Sequence, residues 1–196
     1  MPVEFRADLH IHTCLSPCAG LDMSPRGVVL TALEKGLDLI GVCDHNSAEN
    51  VLAVKRAAER HGLLVLGGME VASSEEAHFL VFFDLDDDLL RFQELVYGHL
   101  SGTNDEKAFG QQVIADEDDG VTGFSDRLLI GASSLPAQTI IDAAHAGKGG
   151  GLVVAAHVDR EAFSIIGQLG FIPAGLGLDA VEVSEHTTAE EARGRF

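Results

Sequence analysis

The sequence predicts an α/β fold, and three observations lead there. Short apolar runs recur along the chain. Between them the apolar positions take up helical spacing, with capping residues ahead and glycines behind. Residues of metal-ligand type, His10, His12, Asp44, His45, Glu70 and His157, stand near the ends of those runs. A barrel and an open doubly wound sheet satisfy this pattern equally, and both gather functional side chains at the carboxyl ends of their strands.

The elements follow in order. Residues 3–9 read as a strand that delivers His10 and His12. Ser24-Pro25 gives an N-cap with proline at the first helical position, so a helix should run to Lys35, where Gly36 stops it. Residues 37–43 are a short buried strand ending at Asp44-His45. A second helix should start near Ser47 and end at His61-Gly62, with Val51, Val54, Ala57 and Ala58 facing inward. Residues 63–66 are the third strand and 78–83 the fourth. This rhythm predicts a parallel sheet with right-handed crossovers.

The middle of the chain breaks the rhythm. Asp86-Asp87-Asp88 opens a helix expected through Leu100, and a polar loop follows over residues 101–107. Residues 112–130 alternate like a hairpin around Asp116-Glu117-Asp118-Asp119-Gly120. Residues 101–132 therefore read as an excursion from the main sheet, a lid or an oligomer contact, with its β-hairpin at about 108–132. Residues 136–146 return to helix, Gly149-Gly150-Gly151 turns, and 152–156 form another buried strand. Residues 162–169 read as helix and 179–183 as the last strand. The 196 residues form a single expected domain, without internal repeats.

A hydrophobic content of 46% supports one substantial core. The formal charge of −18 argues against an extended nucleic-acid surface. It leaves room for a nucleotide or phosphate ester held at a metal centre, where the ions dominate the local charge. No apolar run approaches the roughly 20 residues that cross a bilayer, so no membrane partner is expected. The opening Met-Pro-Val-Glu-Phe-Arg lacks the apolar core of a signal peptide, and the expected location is cytoplasmic. Three cysteines do not make a disulfide framework.

His-x-His on a strand sets two imidazoles on one face, because side chains alternate with a period of two. Alone it also suits polar residues at a strand end. Beside a second strand ending in Asp44-His45, it reads as a pair of ligands. Imidazoles and carboxylates are the ligand set of zinc, manganese or iron.

The segments Asp-Leu-His-Ile-His-Thr-Cys-Leu-Ser-Pro-Cys, Gly-Leu-Asp-Leu-Ile-Gly-Val-Cys-Asp-His-Asn and Val-Val-Ala-Ala-His-Val-Asp-Arg resemble, in order, motifs of the PHP family. This is the polymerase and histidinol phosphatase superfamily of metal-dependent phosphoesterases, and the likeness runs from residue 7 to about 185. The resemblance implies a distorted (β/α)7, TIM-like barrel with two or three divalent metals at its mouth, hydrolysing phosphate esters. Carried over by position, it implies that His10 and His12 bind a first metal and that Glu70 bridges it to a second. His78 and His157 then complete the second metal, and His45 binds a third. Cys18, six residues after His12, matches a further ligand of the third metal. Asp44 would ligate or orient a neighbour.

The physical reading agrees. Two cations about 3.5–4 Å apart hold a bridging hydroxide and clamp a phosphoryl oxygen, and a carboxylate such as Glu70 is the natural spacer. Arg160, three residues after His157, suits bidentate contact with a phosphate and is the expected substrate-binding residue. Glu70, His157 and Arg160 are thus the expected catalytic set, acting on a small phosphomonoester, a nucleotide or an oligonucleotide end.

One departure stands out. The family's closing Asp-x-His is absent from the final Val-Ser-Glu-His-Thr-Thr-Ala-Glu-Glu-Ala-Arg-Gly-Arg-Phe. The expectation is a barrel missing its C-terminal end; the alternative is that Glu182, Glu185 or His186 substitutes. The same absence supports a second reading, a metal-binding regulatory or structural domain with impaired catalysis. An amidohydrolase-like enzyme shares the barrel and the His-x-His but would want a bridging carbamylated lysine or an equivalent carboxylate, and no strand-end lysine is evident. Cys14 reads as a packed or loop thiol and Cys43 as core, His61 as serving a helix C-terminus, and His99 and His145 as helix-surface residues.

Overall fold

The computed structural model describes residues 4–196, so the first residue of the expected opening strand lies outside it. The main sheet has six strands in the order β1-β2-β3-β4-β7-β8: β1 (Ala7–Ile11), β2 (Leu39–Val42), β3 (Leu64–Ala72), β4 (His78–Phe83), β7 (Gly151–Ala155) and β8 (Ala180–Val181). A separate pair, β5 (Val113–Ala115) and β6 (Val121–Phe124), forms the expected hairpin. The helices are α1 (Pro25–Glu34), α2 (Val51–Glu59), α3 (Asp86–Tyr97), α4 (Glu106–Phe109), α5 (Ala137–His145), α6 (Ile165–Leu169) and α7 (Ala189–Arg195). No helix among the described residues is long and apolar enough to cross a membrane.

The sheet is mixed rather than all parallel. β1, β2 and β3 run parallel, as do β7 and β8, but β4 is antiparallel to both β3 and β7. The cause is the length of the β3–β4 connection. A parallel return needs a crossover of a dozen or more residues, whereas residues 73–77 make a tight turn with Glu76 in the left-handed region. Ser73 closes it: its amide donates to the Ala77 carbonyl and its hydroxyl accepts from the Ala77 amide.

β3 also runs on well past the expected residue 66. Gly67-Gly68 does not end it, because both glycines lie where neighbours press against the strand. A Cβ on Gly67 would stand 2.6 Å from a Val51 methyl of α2, and one on Gly68 would stand 2.4 Å from the Val81 carbonyl of β4. Glu70 therefore sits inside β3, paired with Leu80, and not in a loop after it.

α1 begins as expected, with the Ser24 hydroxyl accepting from the Gly27 amide and Pro25 at the first position. α2 starts later than expected. Residues 47–50 are held in a loop by long-range bonds: Ser47 to the Tyr97 hydroxyl, the Ala48 amide to Gln93, and Asn50 to both Val113 and Ala115. These bonds offer the backbone an alternative to helix.

The large core fills the space between the helices and one face of the sheet, centred on Val29, Ile40, Met69, Phe79, Ile140 and Val153. The opposite, concave face carries a small cluster of Cys43, Leu80, Phe82 and Ala156, backed by Leu66 and Val154. The sheet curls around this cluster into a half-barrel, bringing the two edge strands together at one end. There His10 at the end of β1 meets Glu182 just beyond β8. The hairpin excursion is clamped to its own chain. Glu117 and Asp118 at its tip pair with Arg56 and Arg60, and Asp119 accepts from the Arg26 amide.

Candidate metal centre

Six side chains from five strands converge at the mouth of the half-barrel. His10 lies on β1, and His12 is one residue past its end, so both share a face. His45 follows β2 and bridges to Glu70 of β3. His157 follows β7. His78 is the first residue of β4, and the reversal of that strand is what brings its start to the same end as the finishes of β3 and β7.

Glu70 is the hub, 2% exposed. Its Oε1 lies 2.8 Å from His78 Nδ1, 3.2 Å from His157 Nε2 and 3.4 Å from His10 Nε2. Its Oε2 lies 3.1 Å from both His12 Nε2 and His45 Nδ1. The His10 and His12 Nε2 atoms face each other at 3.1 Å. Cys18 Sγ stands 3.2 Å from His12 Nδ1, so His12, Cys18 and His45 form a second grouping on the outer side. His157 adopts φ +33°, a left-handed backbone that non-glycine residues rarely take; such strain gathers at functional sites.

The charge balance is unusual. Burial opposes a proton on His10, but bonds to Glu182 and Glu70 outweigh it and raise the pKa to about 9. Burial likewise opposes charge on His12, yet Cys18, Glu70 and Asp44 push it up to about 10. Burial, helped by the neighbouring imidazoles, drives His45 down to about 3. Burial would raise Glu70, but its imidazole partners hold it well below the usual carboxylate range. Five imidazoles therefore share one carboxylate, and the His157 Nδ1 atom is buried without a hydrogen-bond partner among the described residues. Imidazole nitrogens converging on a carboxylate form a donor set suited to divalent cations, which at His10 and His12 would displace a proton.

Asp44 does not join the cluster. Its oxygens accept from the Thr13 amide and hydroxyl, both at 2.7 Å, and from the Ser16 hydroxyl at 2.6 Å. It fixes the loop between His12 and Cys18 from behind, and the Ser16 hydroxyl also accepts from the His45 amide. Of the three residues considered in place of the closing motif, only Glu182 reaches the cluster. Both its oxygens lie 3.0 Å from His10 Nδ1, and one accepts from the His157 amide at 2.8 Å. Glu182 thus grips the outer nitrogen of a candidate ligand, while Glu185 and His186 are exposed. Cys43 belongs to the concave apolar cluster, as expected, directly beneath His10 and His12. His145 is exposed on α5 and paired with Asp179, whereas His99 is exposed in the turn just after α3, which ends at Tyr97 and not at the expected Leu100.

Arg160 is exposed at the rim of a cavity of about 380 Å3 above Glu70, whose far side is built from Ile130, Ala162 and Phe163. No ion pair engages its guanidinium among the described residues. Sequence reasoning missed Phe163 and Ile130, which carry no ligand chemistry. It also missed Thr13 and Ser16, whose hydroxyls gain meaning only once Asp44 is seen to face them.

The sequence profile of the PHP domain matches residues 8–159. A curated relative, the uncharacterized protein MJ1587 of Methanocaldococcus jannaschii, is 27% identical over 89 residues, covering 41% of this chain and 52% of that protein. Among solved structures, the lesion-specific endonuclease EndoQ of Pyrococcus furiosus superposes with a TM-score of 0.69 at 18% identity. That match covers 96% of this chain and 44% of the endonuclease. A Bifidobacterium adolescentis protein assigned as a metal-dependent phosphoesterase gives 0.59 at 23% identity, over 93% and 78% of the two chains. The chain thus spans about half the length of the curated relative and less than half of the endonuclease. The matched residues run from β1 through the His157 loop, and with them the chain belongs to the PHP domain family.

Proposed function

We propose that this chain is a metal-dependent phosphoric ester hydrolase acting on a small phosphorylated substrate: a phosphomonoester, a nucleotide or an oligonucleotide end. The observation that carries the reading is the two-sided engagement of Glu70. One oxygen faces His78 and His157 and the other faces His12 and His45, which suits a carboxylate between two cations; His10 lies between the two sides, 3.4 Å from the first oxygen and 3.1 Å from His12 Nε2. His10 and His12 would hold a first ion, His78 and His157 a second, and His45 with Cys18 a third. Zinc, manganese and iron all suit these donors. When bound, such ions supply a nucleophile from water at neutral pH and positive charge for the phosphoryl oxygens.

The chain's own residues do the rest. Burial keeps His45 neutral, the form that can ligate. Glu182 turns the Nε2 edge of His10 toward Glu70, and Arg160 holds the phosphate from the rim. A cleft of about 850 Å3 beside the cluster is lined by five carboxylates, Asp8, Asp159, Glu161, Glu182 and Glu185, against two guanidinium groups, Arg160 and Arg195, a balance that favours a compact substrate over a long polyanion.

The test is metal reconstitution of the full chain, with metal content measured by mass spectrometry and hydrolysis of phosphomonoesters, phosphodiesters and nucleotides followed in parallel. Glu70→Ala should abolish turnover and lower metal content. Arg160→Ala should keep the metal and raise KM by roughly ten- to a hundredfold, since charged hydrogen bonds contribute about 1.5–3 kcal/mol. Tight metal with no hydrolysis of any ester would overturn the proposal in favour of a metal-binding domain.

A further inference from the structure

Above the metal-ligand cluster the cavity changes character. Its floor is the Glu70 carboxylate and the imidazoles, and its brim is Ile130, Ala162 and Phe163, with Arg160 between. Phe163 is the unusual member. The residue is 50% exposed, although a phenyl group normally seeks the core. Its backbone sits at φ +58°, a conformation that is costly for a bulky side chain and persists only where the surroundings impose it. Here the imposing contact is the His78 amide, which donates to the Phe163 carbonyl at 2.9 Å. That bond ties the loop after β7 to the first residue of β4.

The consequence is a ring held in place and left open. It lies nearly parallel to the His78 imidazole, with centroids 5.0 Å apart and planes 18° apart, so one face is covered and fixed. The rest of the ring borders the cavity. Ile130 is held just as firmly on another side: the Asn46 amide nitrogen donates to the carbonyls of Leu129 and Gly131, both at 2.8 Å, fixing the turn between them. Arg160, on the same loop as Phe163, stands where a phosphate would approach Glu70.

We propose that Phe163 is a specificity-determining platform. It stacks the planar aromatic ring of a phosphate ester's leaving group, while the phosphate lies between Arg160 and the floor and Ile130 closes the apolar side. The inference rests on the hydrolase reading above and names its substrate class, esters that carry an aromatic ring, with nucleotides and simple aryl phosphates as the two sources. The requirement is geometric: an alkyl group has no face to lay on a ring already backed by His78, whereas any nucleobase or phenyl group has one.

The test uses the metal-loaded full chain and two non-hydrolysable probes, phenylphosphonate and methylphosphonate, with binding measured by calorimetry. Phenylphosphonate should bind about tenfold more tightly to the wild type, in line with the usual worth of one base–aromatic stack. In Phe163→Leu that preference should fall to near unity with metal stoichiometry retained, and in Phe163→Trp it should persist. A nucleoside phosphonate that binds more tightly than phenylphosphonate identifies the ring as a nucleobase; equal binding identifies a plain aryl group. Equal binding of both simple probes by the wild type, no binding of either, or a leucine variant that keeps the preference would each overturn the platform. Loss of metal from the leucine variant together with loss of both probes would reduce Phe163 to a support for His78. Because binding is read without turnover, failure to hydrolyse any ester would count against the hydrolase reading and leave this result standing.

Discussion

Glu182→Gln removes one charge and almost no volume from a residue that touches no other candidate ligand than His10 and His157. In the wild type both carboxylate oxygens lie 3.0 Å from His10 Nδ1, and one also accepts from the His157 amide at 2.8 Å. Glutamine keeps one acceptor oxygen and replaces the other with a donor. The His157 amide can keep its partner, but His10 loses an ionised one. A hydrogen bond to a charged group contributes about 1.5–3 kcal/mol against about 0.5–1.5 kcal/mol for a neutral one. The difference, roughly 1.4 kcal/mol, is about a tenfold change in an equilibrium constant. It falls at the lower edge of the 10–100-fold loss typical when the carboxylate partner of a ligating imidazole is removed. The assay is competition with a chromogenic chelator at fixed pH, with thermal unfolding of the metal-free proteins as a control. Metal affinity should fall about tenfold at unchanged stoichiometry. An affinity within twofold of the wild type would refute the positioning role, and loss of a whole equivalent of metal would make Glu182 a direct ligand instead.

Three further outcomes follow from the geometry. Asp44→Ala leaves the Thr13 amide and two hydroxyls unpaired in the interior, costing roughly 3–5 kcal/mol. At 2–4 °C per kcal/mol for a chain of this length, Tm should drop by about 10 °C, and a drop under 3 °C would count against the network. In metal-free protein, His10 and His12 titrate near 9 and 10, above the unfolded value near 6.5. Their stabilisation is therefore complete below about pH 6.5 and lost as pH rises through 9–10, so urea midpoints of chelated protein should fall across that window; midpoints that rise there would contradict the charge balance described. Finally, iodoacetamide should label Cys18 alone in the native protein. Cys14 is buried with its thiol pushed up to about 11, and burial also raises the Cys43 thiol well above its ordinary value. Metal should slow the labelling, and labelling of Cys18 unaffected by metal would remove it from the ligand set.

Much of this architecture could be read from local chemistry, and the misses have local causes. Ser24-Pro25 marked the start of α1 because capping is a short-range effect. Residues 78–83 were recognisable as a strand for the same reason, but nothing in them states direction. That is set by how few residues separate β3 from β4, a constraint that acts through chain connectivity. The third strand was expected only to residue 66, because the contacts that make glycine necessary at Gly67 and Gly68 come from Val51 and Val81, remote in sequence. Thr188 and Glu191 form a capping box that opens α7, a signal that was present in the sequence and passed over. His10, His12, His45 and Glu70 were legible because strand ends and ligand chemistry coincide. Asp44 has the same chemistry, yet the hydroxyls around it hold it out of the mouth. Phe163 had no signature at all, since an exposed aromatic in a loop acquires meaning only from the ring beneath it.

The convergence of five strands on one carboxylate also has a bearing on how this domain is made. His10 comes from the edge strand β1 and His157 from the loop after β7, the fifth strand in the sheet order, so no fragment short of the assembled curl presents a complete cage. A complete cage would thus be offered to an ion only late in folding, and an ion bound there would bias the equilibrium toward the finished topology in proportion to its differential affinity. A destabilising change in a distant helix would accordingly announce itself first as leakage of metal, before any loss of helical signal.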